Sequence, residues 1–314
     1  MFFPTLRPEE HLEGYRGRLR FLNGLRDGKA VSIALDDEDA ARTGRRSHRL
    51  GFVELVAARH EASTHDLLMR HSLWPFSAAA DRPISPAAVN AMAGTQAGRT
   101  SIMRWARPDA WMCHECVRED IGFWGYSYWR RQHQLPGVLW CDKHGSELAH
   151  VHLGAVVSGM PDHFMEVSKV ANAELCERAR KLGAITRYLE ICQGILDSAV
   201  YIRRADCAER LAVEAISSGL CTSARGAGAA MFELARATLP SDWLEDVFPK
   251  IDWQRRGKVT VMDAVFGHQH YAAPTAAIAL AAALLFESSD DALRSLAKVD
   301  HGQCLMPTDV ADGH

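Results

Sequence analysis

Apolar positions recur along most of this chain at the three-to-four-residue spacing of amphipathic helices. Leu12, Tyr15, Leu19 and Leu22 mark the buried stripe of an opening helix that begins at Pro8-Glu9-Glu10 and runs to about Leu25. Its acidic first turn suits the positive end of a helix dipole, and Asn23-Gly24 and Asp27-Gly28 stop it. Residues 27–48 carry an acidic cluster, Asp36 to Asp39, and a basic one, Arg42, Arg45 and Arg46, and predict a loop or short helix. The next stretch reads as helix-turn-helix. Phe52, Leu55 and Val56 form one apolar stripe, Ala62-Ser63-Thr64 is the break with Ser63 or Thr64 as N-cap, and His65 to Leu73 is a second helix that Trp74-Pro75 ends. Two helices around so short a turn suit DNA binding, with Arg70, His65 and His71 as readers. The same geometry is also a common packing unit in helical proteins. Residues 81–107, rich in Pro, Gly and Ala, read as a connector. After Leu148 the helical periods return, predicting helices over roughly 165–181, 184–200, 205–218, 224–237, 241–248 and 273–286.

Between these helical stretches the pattern changes. Cys113-x-x-Cys116 and Cys141-x-x-His144 are two ligand pairs with 24 residues between them. Each pair fits a tight turn that offers two donors to one ion, and together they complete a tetrahedron. Thiolate and imidazole favour zinc over magnesium or calcium. Four protein ligands leave no position for water or substrate, so one structural Zn2+ is expected. His114, inside the first pair, and His133, in the insert, are alternatives to His144 as the fourth ligand. The insert also holds six aromatic residues (Phe123, Trp124, Tyr126, Tyr128, Trp129, Trp140), and it carries Arg130 and Arg131. A ribbon has little core of its own, so the aromatics pack on neighbouring helices or form a partner surface. The two arginines are candidates for contact with phosphate or partner, as are Arg45 and Arg46. The chain is therefore expected to be mainly α, with an N-terminal helix-turn-helix module over 1–108, a central zinc ribbon with short β elements over 109–150, and a C-terminal helical domain over 151–314.

The run from the first Cys pair through GYSYWRRQHQLPGVLWCDKHGSEL resembles the TniQ family, which includes the TnsD proteins of transposons. The residues that carry the resemblance are Trp129, Arg130, His133, Leu135, Pro136, Gly137, Cys141, His144, Gly145 and Leu148. The N-terminal RPEEHLEGYRGRLRFLNGL is similar to the family's opening helix, and the likeness covers about the first 150 residues. One departure is His114-Glu115, where the family more often has a proline after the first cysteine. The resemblance implies a target-selection adaptor that recognises a target complex or target DNA and recruits a transposon AAA+ ATPase and, through it, the transposase. Some relatives read an attachment-site sequence directly; others dock as homodimers on a CRISPR effector complex with its guide RNA. A bacterial, cytoplasmic and nucleoid-associated location goes with that role.

Charge modifies this picture. The 314 residues carry a net charge of −3. Residues 1–150 hold 20 Lys+Arg against 18 Asp+Glu, and residues 151–314 hold 16 against 21. A protein relying on non-specific attraction to DNA would be more basic, which favours docking between proteins over autonomous DNA binding. The five cysteines outside the ribbon have no pair spacing, as expected in a reducing cytoplasm. No basic-then-apolar leader opens the sequence. The apolar run 276–286 is too short for a membrane span. No G-x-x-x-x-G-K-[ST] phosphate loop occurs, His150-Val-His152 and His268-Gln-His270 lack a second ligand pair, and the ribbon lacks the H-x-E order of zinc deaminases. No catalytic constellation emerges, and the chain is not expected to be an enzyme.

Overall fold

A computed structural model describes residues 1–44, 51–80, 106–198, 201–249, 260–267 and 272–297. Arg45, Arg46, most of the 81–107 connector and His268-Gln-His270 lie outside these residues. The fold is mainly helical, with one three-stranded antiparallel sheet.

The opening helix, α1 (Leu12–Leu22), starts later than the acidic Pro8-Glu9-Glu10 signature suggests. Glu9 has φ +60°, a left-handed conformation that breaks a helix. Residues 9–11 instead pair with the ribbon insert: His11 N–H donates to the Trp129 carbonyl at 2.8 Å, and Arg131 N–H donates to the Glu9 carbonyl at 2.8 Å. α1 begins where His11 Nδ1 accepts the Glu13 N–H at 3.2 Å. Residues 27–48 hold a longer helix than expected, α2 (Gly28–Thr43), capped by Asp27, which accepts from Ala30 N–H at 2.8 Å, and closed by Gly44 at φ +70°. The pair α3 (Phe52–Arg59) and α4 (Thr64–His71) matches the expected break, with Ser63 Oγ accepting the Asp66 N–H at 2.9 Å as N-cap. α4 stops at His71, two residues short of the expected end, with extended Ser72 as its C-cap, and Trp74-Pro75 instead opens a single turn, α5 (Trp74–Ser77), where proline is tolerated.

The sheet is formed by β1 (Asp109–Met112), β2 (Ala149–His152) and β3 (Lys169–Val170), in that order. Trp111 stands opposite His150 in the β1–β2 register. α6 (His114–Trp124) follows β1 directly, and α7 (Gly154–Ser158) follows β2. β2 and β3 extend the ribbon's sheet to Val170, and Asn172 caps α8 (Ala173–Arg180), so the helix expected from 165 starts eight residues later. The helices α9 (Gly183–Ser198), α10 (Arg204–Ser217), α11 (Ala224–Thr238), α12 (Ser241–Val247) and α14 (Thr275–Leu285) lie close to their expected positions. Two short helices were not legible in the apolar pattern, α13 (Val261–Val265) and α15 (Ser289–Ala297). No helix among the described residues is long and apolar enough to cross a membrane.

Three apolar cores form among the described residues. One lies within the N-terminal helices, around Leu12, Tyr15, Leu19, Leu55, Leu68 and Trp74. A small one backs the sheet, around Met112, Val117, Trp129 and Val151. The largest runs from Leu73 and Phe76 through the ribbon cysteines to the helices beyond 173. Trp243 of α12 illustrates how that core joins the two halves. It is fully buried, its indole N–H donates to the Gly137 carbonyl at 3.1 Å, and Tyr188 meets its ring edge-on. Gly137, at φ +80°, leaves no room for a Cβ, which would come 2.8 Å from Trp243. On the other side Gly17 lets α1 lie against α7, because a Cβ there would come 2.0 Å from the Val156 carbonyl oxygen.

Charge is buried where the N-terminus meets the ribbon. Glu10 and Arg18 are 0% and 1% exposed and meet through two contacts of 2.9 and 2.6 Å. Burial pushes the Glu10 carboxyl upward, and the Arg18 guanidinium opposes that rise. Removing one member of such a pair leaves a bare buried charge and costs about 3–5 kcal/mol. Beside it His71 Nδ1 donates to the Glu10 carbonyl at 3.0 Å. Burial pushes the ring's pKa down from 6.5 to about 4, and nearby Arg131 adds to the fall. The unfolded ring takes up a proton below 6.5 and the folded ring resists until about 4. Its contribution to stability is therefore whole above pH 6.5 and is lost as pH falls toward 4. Melting temperature should decline over that window, and His71→Gln should remove on the order of 2 kcal/mol of the decline, read by comparing thermal scans of both proteins across pH.

Candidate metal centre

The four expected ligands come together. Cys113 and Cys116 sit at the start of α6, with Cys113 as its N-cap and its Sγ accepting the Cys116 N–H. The first pair therefore occupies a helix N-terminus, not an isolated turn, and the exposed N–H groups and helix dipole there favour thiolate. Cys141 and His144 lie in the tight turn between Trp140 and Glu147, which pair across it. That turn closes through Gly145 N–H to the Cys141 carbonyl at 2.7 Å and Cys141 N–H to the Ser146 carbonyl at 2.9 Å, with Gly145 at φ +67°. The position requires a residue that tolerates positive φ.

The donor atoms Sγ of Cys113, Cys116 and Cys141 and Nδ1 of His144 lie within 4.8 Å of one another. His144 Nδ1 is 3.4 Å from the Cys113 and Cys116 sulfurs and 3.6 Å from that of Cys141, and the Cys116 and Cys141 sulfurs are 3.7 Å apart. A tetrahedron with Zn–S near 2.3 Å and Zn–N near 2.0 Å has edges of about 3.5–3.8 Å. The donor set thus fits one four-coordinate ion. All three cysteines are buried. The Cys113 thiol is held well below its ordinary range, first by hydrogen bonds from the Cys116 and Cys141 thiols and then by Ser146 Oγ, 3.3 Å away.

A second layer of contacts orients the histidine. His144 Nε2 lies 3.0 Å from Glu119 Oε1, and Lys143 pairs with the other oxygen of the same carboxylate. A carboxylate on one ring nitrogen fixes the tautomer that leaves the other, Nδ1, free to bind metal. Neither alternative histidine joins the cluster. His114 Nε2 contacts Ser168 Oγ at 2.8 Å, and His133 is buried outside the cluster. Glu119 escaped the sequence reading, although its place on α6, three residues after Cys116, could have signalled a partner for the other ligand pair.

The candidate binding residues fare differently. Arg130 forms a two-pronged pair with Asp120 at 2.7 and 2.9 Å and lies over the Tyr128 ring. Arg131 is 5% exposed; it pairs with Glu9 at 2.7 Å, donates to the Met69 carbonyl at 2.5 Å, and reaches Asp197 of α9 at 3.5 Å. Both arginines thus sit in ion pairs within the protein, Arg131 buried and Arg130 half-buried. Arg70 is exposed on α4, but Asp66 stands one turn earlier on the same surface. His65 is partly covered and lies 3.6 Å from Asp66. Most of the insert's aromatics are packing residues, with Trp129 and Tyr128 buried, while Phe123 and Trp124 remain exposed.

The Glu119–His144 contact yields a direct test. Glu119→Gln should lower metal affinity about 10–100-fold, measured by competition with a chromophoric chelator. His144→Ala should abolish stoichiometric binding, and His133→Ala should leave one ion per chain. Equal losses from the two histidine variants would contradict this ligand assignment.

Among curated proteins, none matches the chain. A family model described as TniQ matches residues 1–148. That span runs from the segment that pairs with the insert to Leu148, which closes the hairpin through its N–H to the Leu139 carbonyl. The chain is therefore similar to the TniQ family over residues 1–148, somewhat under half of its 314 residues.

Proposed function

We propose that this protein is a target-selection adaptor of TniQ type. It links a target complex or target DNA to a transposon AAA+ ATPase and, through it, to the transposase. One Zn2+ held by Cys113, Cys116, Cys141 and His144 is structural: it closes the ribbon and takes no part in chemistry. The TniQ match over 1–148 is the observation that carries this reading. The balance of charge supports docking on a protein or ribonucleoprotein target, such as a CRISPR effector with guide RNA. The arginines of the insert are internal, and the exposed face of α4 sets Arg70 beside Asp66. Phosphate binding needs uncompensated cations, which this face does not gather. A second reading, direct recognition of an attachment site, draws on the Ser63-capped α3–α4 pair and on the exposure of Arg70.

Gentle affinity purification of the tagged chain from its native host tests the proposal. The transposon ATPase and transposase should co-purify with one zinc per chain by elemental analysis. Guide RNA with effector subunits would assign the RNA-guided form. A single duplex sequence without guide RNA, lost on Arg70→Ala, would assign the second reading. Recovery of neither ATPase nor transposase would contradict the adaptor role.

A further inference from the structure

Outside the TniQ domain, α10, the end of α14 and α15 enclose an open groove of about 1170 Å3. That exceeds the roughly 300–1,000 Å3 of small-molecule pockets and suits a polypeptide segment. Its wall has an apolar component: Val213 is 57% exposed, Leu285 and Phe286 are half-buried, and Ile216, a turn further along α10, is 42% exposed. Val213 and Ile216, one turn apart on α10, thus put exposed apolar surface at and beside the groove.

The charged lining residues have one dominant sign. Five carboxylates and two guanidiniums line it. Both arginines are already engaged: Arg210 donates to the Ser295 carbonyl at 2.6 Å and approaches Asp206, and Arg294 pairs with Asp291 at 2.6 Å. Glu209, Glu214 and Glu287 pair with no cation among the described residues. Apolar lining residues beside unpaired carboxylates complement a segment with an apolar stripe flanked by Lys or Arg. The same charges repel nucleic acid. The stretch 298–314 holds three aspartates and one lysine, so its charge does not complement the groove.

We infer that the α10–α15 groove is a docking site for a basic amphipathic segment of a partner protein. The adaptor reading is used only to place that partner in the transposition machinery; the groove's chemistry stands without it. The test uses the full zinc-loaded chain and two fluorescent helical peptides of one pattern, Leu on one face and either Lys or Glu on the other. The Lys peptide should bind at least tenfold more tightly than the Glu peptide, weaken as salt rises, and slow amide exchange selectively over 204–218 and 285–297. Glu209→Lys/Glu214→Lys should weaken it at least tenfold with zinc content and melting unchanged. Val213→Ser should weaken it at constant charge.

Equal binding of the two peptides would overturn the inference. So would protection that falls elsewhere, or insensitivity to the double variant. Concentration-dependent dimerisation that covers the same segments and excludes the peptide would also overturn it, by giving the groove to a second copy. None of these outcomes bears on whether the chain recruits an ATPase, which the purification above decides.

Discussion

The structure depends on a joint between two segments more than a hundred residues apart. Residues 9–11 lie alongside Trp129–Arg131, joined by backbone hydrogen bonds and by the Arg131–Glu9 ion pair, with Glu10 held beside them by Arg18. Arg131 binds Glu9, caps the last carbonyls of α4 and reaches α9, so one guanidinium contacts the N-terminal helices, the ribbon insert and the C-terminal helices together. Lysine could not replace it, because a single ammonium lacks the planar fork that meets a carboxylate and a carbonyl at once. Burying Glu10 with Arg18 adds little net stability compared with an apolar pair.

That joint makes the metal site more than a local clasp. The insert that bears Arg130 and Arg131 is held at one end by the Cys113–Cys116 pair and at the other by Cys141 and His144. Gln134, fully buried, ties its middle to β1, accepting the Trp111 N–H at 2.9 Å and donating to the Trp111 carbonyl at 2.7 Å. The sulfur ligands themselves belong to the largest apolar core, which continues into α8 and α9. Binding energy of an ion at such a site is folding energy for whatever the site organises. Here that includes the surface on which the N-terminal segment rests.

Much of this was legible in the sequence for identifiable reasons. The ligand quartet follows from spacing, and most C-terminal helices follow from a 3.6-residue apolar period. Ser63 announced its cap because a hydroxyl before a periodic run has few other uses. The misses share a cause: the deciding contact was distant in sequence. Pro8-Glu9-Glu10 looks like a helix start until residues 129–131 claim its backbone. Arg130 and Arg131 look like surface cations until Asp120, Glu9 and Asp197 are placed beside them. α2 was underestimated because the run Asp36 to Asp39 masks the buried positions Val31 and Leu35. Glu119 makes no sense as a lone glutamate and becomes meaningful only opposite His144.

The central claim is that metal, ribbon insert and N-terminal helices form one cooperative unit. Amide hydrogen exchange on the full chain, with and without a zinc chelator, tests it most directly. Metal removal should release the Arg131 and His11 amides and α1 together with residues 109–150. If α1 through α4 kept their protection while 109–150 exchanged freely, the N-terminal helices would be independent of the metal, and the account would be wrong.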